Sequence, residues 1–339
     1  MRRRILIALV VAGGLLVMSV LWVRNYLARP LSIPAEGYRL EIAPGTTWSA
    51  VARRLADDGI TPWGLVLRAR GQLTGEAGRI QAGEYALVPG LTPGSLLQQL
   101  VAGRVVLRKF TLVEGWTVRD ILRAIREEPA LEKTLQATQA PELARELDLP
   151  WPSAEGAFLP ETYLFARGTT DQAMLARAHA ALYERLNQAW ATRSPDLPLA
   201  NAYELLILAS IVERETALAR ERPLIAGVFI RRLNKGMRLQ TDPTVIYGIG
   251  AGFDGNLTRD NLDTDTPWNT YTRAGLPPTP IAAPSGAAID AASQPADGTS
   301  LYFVASGEGD GSHRFTATLK DHESAVRDYL AVLKQRDGN

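Results

Sequence analysis

Cysteine is missing from all 339 residues, and histidine occurs only three times, at His179, His313 and His322. Thiol catalysis is therefore excluded, the fold stands without disulfides, and three scattered imidazoles give no spacing suited to a His/Cys metal site. An excess of charge is also lacking: 37 Lys and Arg against 36 Asp and Glu leave a formal net charge of +1. Such a chain carries no field to draw in nucleic acid, and no basic stretch is interleaved with aromatic residues. What remains is an ordinary globular composition, 46% apolar and 22% charged, in a chain long enough for two or three domains.

The N-terminus holds the one long hydrophobic run. Arg2, Arg3 and Arg4 precede ILIALVVAGGLLVMSVLWV, Ile5 to Val23, and Arg24 closes it. About 19 residues at about 1.5 Å each can cross a hydrocarbon core of ~30 Å. The arginine cluster is expected on the cytoplasmic side, with everything after Arg24 outside. A cleaved signal peptide is the rival reading, but the run is long for a signal core and ends in Leu21-Trp22-Val23-Arg24 instead of a small-x-small site. The expected organisation is a cytoplasmic tip and anchor (1–24), a tether (25–37), a small α+β module (38–129) and a larger C-terminal domain (130–339).

In the module one pattern recurs: an alternating strand, a glycine turn, then a threonine opening an amphipathic helix. Its copies are LEIAPGTTWSAVARRLADDG, YALVPGLTPGSLLQQLVAG and FTLVEGWTVRDILRAI, with turns at Gly45, Gly90 and Gly115 and caps expected at Thr47, Thr92 and Thr117. A polar helical connection is expected near 130–153, then an irregular aromatic segment, EGAFLPETYLFARGTT, and an amphipathic helix over 171–193 carrying Met174, Leu175, Ala178, Leu182 and Leu186. His179 lies beside that stripe and reads as a packed or solvent-facing residue.

Chemistry concentrates in Tyr203 to Gly248. An apolar helix there ends in two glutamates, Glu213 and Glu215. At about 100° per residue, Leu208, Ile211, Val212 and Ala219 fall within about 60° of Glu215, whereas Glu213 faces the other way, beside Leu206, Ser210 and Ala217. A carboxyl on a greasy stripe resists ionisation and can keep a proton near neutral pH, as a general acid must. On the residues alone, Glu215 reads either as that acid or as a helix-end member of a structural pair with Arg214, Arg220 or Arg222. A second helix follows from Pro223 to Gly236, then a polar loop, Gln240-Thr241-Asp242-Pro243, ahead of Val245-Ile246-Tyr247. The proline-dense 256–284, with NTYTRAGLPPTPIAAP, reads as a fixed loop lining a cleft. A short helix over 285–292, a hairpin of LYFVAS and HRFTATL, and a closing helix complete the chain.

Two resemblances add to this reading. The first strand–PGTT–Trp48 copy looks like the LysM modules that bind N-acetylglucosamine-containing wall glycans; a spacer role fits the same residues. SIVERETALARERPLIAGVFIRRLNKGMRLQTDPTVIYG, NTYTRAGLPPTPI and LYFVAS…HRFTATLKDH, in that order, closely resemble the YceG-like family of endolytic murein transglycosylases. That resemblance implies an α+β protein with a single transmembrane helix, a LysM-like module, and a catalytic domain with a lysozyme-like helical core plus β-hairpin elements. It implies cleavage of the β-1,4 bond between N-acetylmuramic acid and N-acetylglucosamine within nascent peptidoglycan strands, leaving 1,6-anhydro ends, with no cofactor and no metal. Glu215-Thr216 matches the Glu-Ser pair of lysozyme-type lytic transglycosylases, which makes Glu215 the acid and Glu213 a supporting residue. Substrate contacts are expected from Glu161, Gln240, Thr241, Asp242, Tyr247, Asn269 and Tyr271. The family implies an inner-membrane protein with its catalytic domain outside the cytoplasm, partnered by penicillin-binding proteins or other wall synthases. A hydrolytic muramidase using Glu215 with Asp242 or Glu161 as partner, and a non-catalytic wall-binding scaffold, are the alternatives.

Overall fold

A computed structural model describes residues 2–337. The chain forms two compact units: residues up to Arg108 with Leu164–Gly168, and Lys109–Tyr163 with residues from Thr169 onward.

The first unit begins with α1 (Arg2–Ala28), long and apolar enough to cross a membrane by length and composition. Then come β1 (Tyr38–Ile42), α2 (Trp48–Asp57), α3 (Gly64–Leu73), β2 (Gly83–Leu87) and α4 (Pro93–Val101). β1 and β2 pair antiparallel, Tyr38 opposite Leu87 and Ile42 opposite Gly83. Alternation along YRLEI turns Leu40 and Ile42 inward, onto Val51, Leu55, Leu67, Tyr85, Leu96 and Leu100. The expected caps are present: Thr47 accepts from the Ala50 amide, and Thr92 forms a reciprocal capping box with Ser95. α3 has no such signal, because Trp63 precedes it without a side-chain cap. Trp48 is buried and its indole N–H donates to the Leu67 carbonyl at 3.1 Å. Residues 25–37 carry several contacts to this unit. The Tyr26 hydroxyl bonds that of Thr61, Leu31 is buried, and the Leu31 and Ser32 amides donate to Leu91 and Ile60 carbonyls at 2.8 and 2.9 Å.

β3 (Leu107–Thr111) pairs with β4 (Thr162–Ala166), and the division between units falls within both strands. The second unit holds α5 (Val118–Glu127), opened by Thr117 in a capping box with Asp120, and α6 (Ala140–Glu146). Between residues 130 and 153 only α6 is helical; the rest is fixed by polar anchors such as Asp171, which accepts from the Thr134 amide at 2.9 Å. β4 supplies a strand where an irregular segment was expected. α7 (Asp171–Ala191) runs as the sequence indicates, capped by Thr170.

α8 (Ala202–Glu215) is the centre of this unit. All eight residues from Leu205 to Val212 are buried, and the helix packs against α7, α9 (Arg222–Asn234), α10 (Asp242–Ile249) and α12 (Gly286–Ser293). A helix apolar on every side is stable only when enclosed. The face carrying Glu213 is no less enclosed than the one carrying Glu215: Leu206 and Ser210 are as buried as Leu208. Ser210 is satisfied locally, donating to the Ile207 carbonyl at 2.7 Å and accepting from the Ile281 amide at 3.0 Å. The QTDP stretch is likewise not a loop throughout, since Asp242 opens α10 with Pro243 in its first turn, where a missing N–H costs nothing. A one-turn α11 (Arg259–Asp263) interrupts the proline-dense loop. β5 (Tyr302–Ala305) and β6 (His313–Thr316) form the expected hairpin, Tyr302 opposite Thr316, and α13 (Leu319–Asp337) closes the chain.

In the first unit Gly71 is confined by packing. A Cβ there would meet the buried Trp48 indole well inside van der Waals contact. Gly71→Ala should destabilise the unit by about 1–3 kcal/mol, read as an earlier thermal transition; an unchanged transition would mean the indole moves freely.

Candidate active site

The C-terminal end of α8 presents Glu215, followed by Thr216 in extended conformation, so the helix stops at the carboxylate. The side chain is half-buried, yet its carboxyl lies in protein deeply enough that desolvation pushes the pKa up to about 7. The Thr241 hydroxyl donates to Glu215 Oε1 and pulls the value down; the Asp242 carboxylate raises it and the Arg232 guanidinium lowers it. Desolvation wins, because a single hydroxyl donor replaces little of the lost hydration. With Oε1 held by Thr241, Oε2 is the oxygen left to carry the proton.

Thr241 is positioned by its own backbone. Gln240 adopts φ 50°, a left-handed conformation uncommon outside glycine, and its amide donates to the Thr270 carbonyl at 3.2 Å. The Thr241 amide donates to Thr270 Oγ1 at 3.1 Å, and Thr244 Oγ1 lies 2.9 Å from the same hydroxyl. Asp242 is exposed and accepts from the Tyr271 hydroxyl at 2.6 Å, which with burial keeps that phenol protonated far above its usual range. Arg232, buried on α9, donates to the carbonyls of Leu301 at 2.6 Å and Leu239 at 2.8 Å and lies 5.0 Å from the Tyr302 ring.

The structure thus brings Glu215, Thr241, Asp242 and Tyr271 into one constellation, with Gln240 at its edge. Four other residues singled out in the sequence have different surroundings. Glu213, 6% exposed at its side chain, accepts from the Ser285 amide at 2.9 Å and pairs with Arg222 at 3.6 Å, fastening the end of α8 to the start of α12. Asn269 is fully buried; its amide donates to the Leu262 and Thr264 carbonyls at 2.9 and 2.7 Å and its oxygen accepts from the Tyr271 amide at 2.8 Å. Tyr247 donates to Glu155 Oε2 at 3.0 Å and meets Trp268 edge to face. Glu161 is exposed beside Tyr163. A hollow of about 450 Å³ lies against the first turns of α8, between Tyr203, Ile207 and Pro277–Pro278, at the other end of the helix from Glu215.

Two charged groups went unremarked as site candidates in the sequence. Arg232 sits among ordinary helix-surface arginines, so nothing marks it. Glu155 is buried and accepts from the Val118 amide at 3.0 Å as well as from Tyr247; burial pushes its pKa up to about 7. The close approach that seats it shows only in three dimensions: a Cβ on the neighbouring Gly156 would sit 2.6 Å from Pro280 Cβ.

The model of the YceG-like family matches residues 40–328. The chain belongs to the YceG-like family. Among its relatives, a Bacillus subtilis (strain 168) protein named endolytic murein transglycosylase is 29% identical over 316 residues, covering 88% of this chain and 86% of that protein. A Streptococcus pneumoniae serotype 2 (strain D39) protein of the same name is 30% identical over 284 residues, covering 74% of this chain and 51% of the relative; this chain spans about half the pneumococcal length. A crystal structure of a YceG-like protein from Listeria monocytogenes superimposes with a TM-score of 0.53 at 26% identity, over 86% of this chain and 99% of that one.

Glu155 has a folded pKa of about 7 against an ordinary 4.5. A carboxyl raised on folding favours the folded state below its unfolded value, and that contribution is lost as pH climbs through about 7. The Tm of Glu155→Gln relative to the unaltered chain should therefore increase as pH is taken from about 5 to about 8. Parallel Tm–pH curves would show that this carboxyl titrates normally.

Proposed function

We propose that this chain is a membrane-anchored endolytic murein transglycosylase, with Glu215 as its single acid/base. The names of its relatives support the reaction class. The observation that carries the residue assignment is the half-buried carboxyl ending α8, with a pKa of about 7 and one oxygen held by Thr241.

Protonated Glu215 gives its proton to the departing glycosidic oxygen as the bond to C1 of N-acetylmuramic acid breaks. The same carboxylate then takes the proton of the C6 hydroxyl while that oxygen bonds to C1, closing a 1,6-anhydro ring and restoring the acid. The substrate's acetamido group shares the positive charge between the two steps. No water is consumed, so no second carboxylate has to activate one. A pKa near 7 suits both halves, since the group must release and regain a proton at similar cost. Asp242 and Arg232 oppose each other's effect on that value, and Tyr271 holds Asp242 in place.

The remaining assignments complete the proposal. α1 is a single-pass inner-membrane anchor with the rest of the chain outside the cytoplasm. The β1–α2–α3–β2 arrangement is LysM-like, within the module expected over 38–129 between a tether at 25–37 and a catalytic domain at 130–339. The helices around α8 are the lysozyme-like core. Glu161, Gln240, Tyr247 and Asn269 frame the glycan cleft, Asn269 and Tyr247 by holding its walls. Nascent peptidoglycan strands are the substrate, and penicillin-binding proteins the partners.

A hydrolytic muramidase has one observation in its favour: the Asp242 carboxylate is close enough to raise the Glu215 pKa. Mass spectrometry of digested glycan separates the two, because a hydrolysed end is heavier by one water. Glu215→Gln should abolish anhydro-ended fragments, whereas Glu213→Gln should keep most activity per folded molecule. Loss confined to Glu213→Gln would transfer the role to that residue, and water-bearing ends would establish the hydrolase. Activity should also fall as pH rises above about 7, where the acid is lost; a rate still climbing there would exclude a carboxyl as the proton donor.

A further inference from the structure

The junction between α1 and the first unit carries features that catalysis does not use. Ile5 to Val23 spans a hydrocarbon core of ~30 Å, so Arg24 to Ala28, one further helical turn, stands in the headgroup layer. Trp22, at that boundary, meets Trp63 edge to face with ring centroids 5.0 Å apart and stacks on Tyr26. Aromatic residues of this kind settle where hydrocarbon gives way to headgroups. Trp63 precedes α3 and is 49% exposed, far more than a core tryptophan. The Tyr26–Thr61 bond ties the unit to the helix itself, and buried Leu31 with the Leu31 and Ser32 amide bonds to the Leu91 and Ile60 carbonyls ties down the segment that leaves it.

Between α1 and α3 runs an open, largely apolar groove of about 500 Å³, lined by Val20, Val23, Leu27, Arg24 and Arg70. Neither arginine has an ion-pair partner among the described residues, and Arg70 Nε is buried without a hydrogen bond. A guanidinium with no carboxylate partner keeps its charge free for a phosphate, to which its fork of N–H donors is well matched. The aliphatic residues continue the same groove towards the membrane core.

We propose that this groove is a phospholipid site in the outer leaflet of the bilayer that α1 crosses. It takes the phosphate of an anionic lipid at Arg24 and Arg70, the glycerol region beside Leu27 and the upper acyl chain along Val20 and Val23, with Trp63 at its rim. The proposal rests on the reading of α1 as a membrane anchor. It makes the first unit a lipid-seated platform.

The cysteine-free chain allows a direct test. Full-length protein carrying a single fluorescent label at Val10→Cys or Pro62→Cys is placed in mixed nanodiscs of phosphatidylglycerol and phosphatidylcholine. Trace lipid of either headgroup bears a nitroxide near the top of one acyl chain, and a third lipid bears it near the chain end. Deep quenching of the label at position 10 reports that α1 spans. Preferential quenching at position 62 by labelled phosphatidylglycerol reports the site. Arg70→Gln should reduce that preference about fivefold, the weight of one basic side chain at an anionic surface, with no change at position 10. Arg24→Gln is the second variant, and circular dichroism confirms that each folds. Equal quenching by the two headgroups at position 62, with position 10 deep, overturns the lipid site and leaves the anchor standing. Loss of deep quenching at position 10 overturns both. Loss of the preference on adding inorganic phosphate identifies a free-anion site and overturns the lipid assignment.

Discussion

The second unit depends on one constraint: α8 is enclosed on every side, so any carboxylate at its end must be paired or protonated. Ionising a carboxyl out of contact with water is costly, and two outcomes follow two residues apart. Glu213 finds the Ser285 amide and hydroxyl and the nearby Arg222. Glu215 finds a single hydroxyl and keeps its proton up to about pH 7. What separates the two glutamates is the number of donors each meets. Which face of the helix each leaves from does not decide it.

Much of the fold was legible because it is written in local signals. The threonine caps at Thr47, Thr92 and Thr117 open helices where the strand–glycine–threonine pattern put them, and the 3.6-residue stripe of α7 and the terminal hairpin follow the same logic. Elements without punctuation escaped. α3 starts after an uncapped tryptophan, and β4 is five residues paired with a strand more than fifty positions away. QTDP was read as a break because proline usually marks one; only the neighbouring threonines show that Asp242-Pro243 opens a helix.

The site was legible in part, for related reasons. Glu215 was visible as an acid on an apolar helix, and QTDPT as a polar stretch near it in sequence. The wheel that singled out Glu215 contrasted two faces that are equally buried, so its conclusion rested on a distinction the packing removes. Residues whose polar atoms are committed elsewhere give no sign of it in one dimension. Asn269 and Tyr271 are near neighbours in one motif, yet the first holds a loop together while the second reaches Asp242. Arg232 acts through its charge across several ångströms, and no local pattern encodes that.

The left-handed residue ahead of Thr241 has a consequence for how such an enzyme can change. Gln240 makes its key contribution through backbone shape, and its side chain is exposed. Glycine would relax that shape at no steric expense, while a β-branched residue would resist it. Either exchange would alter how firmly the hydroxyl one position on grips the Glu215 carboxyl, and so the pKa of that group. A solvent-facing position can in this way act as a tuning screw, shifting the titration of a buried carboxyl whose own contacts are unchanged in kind.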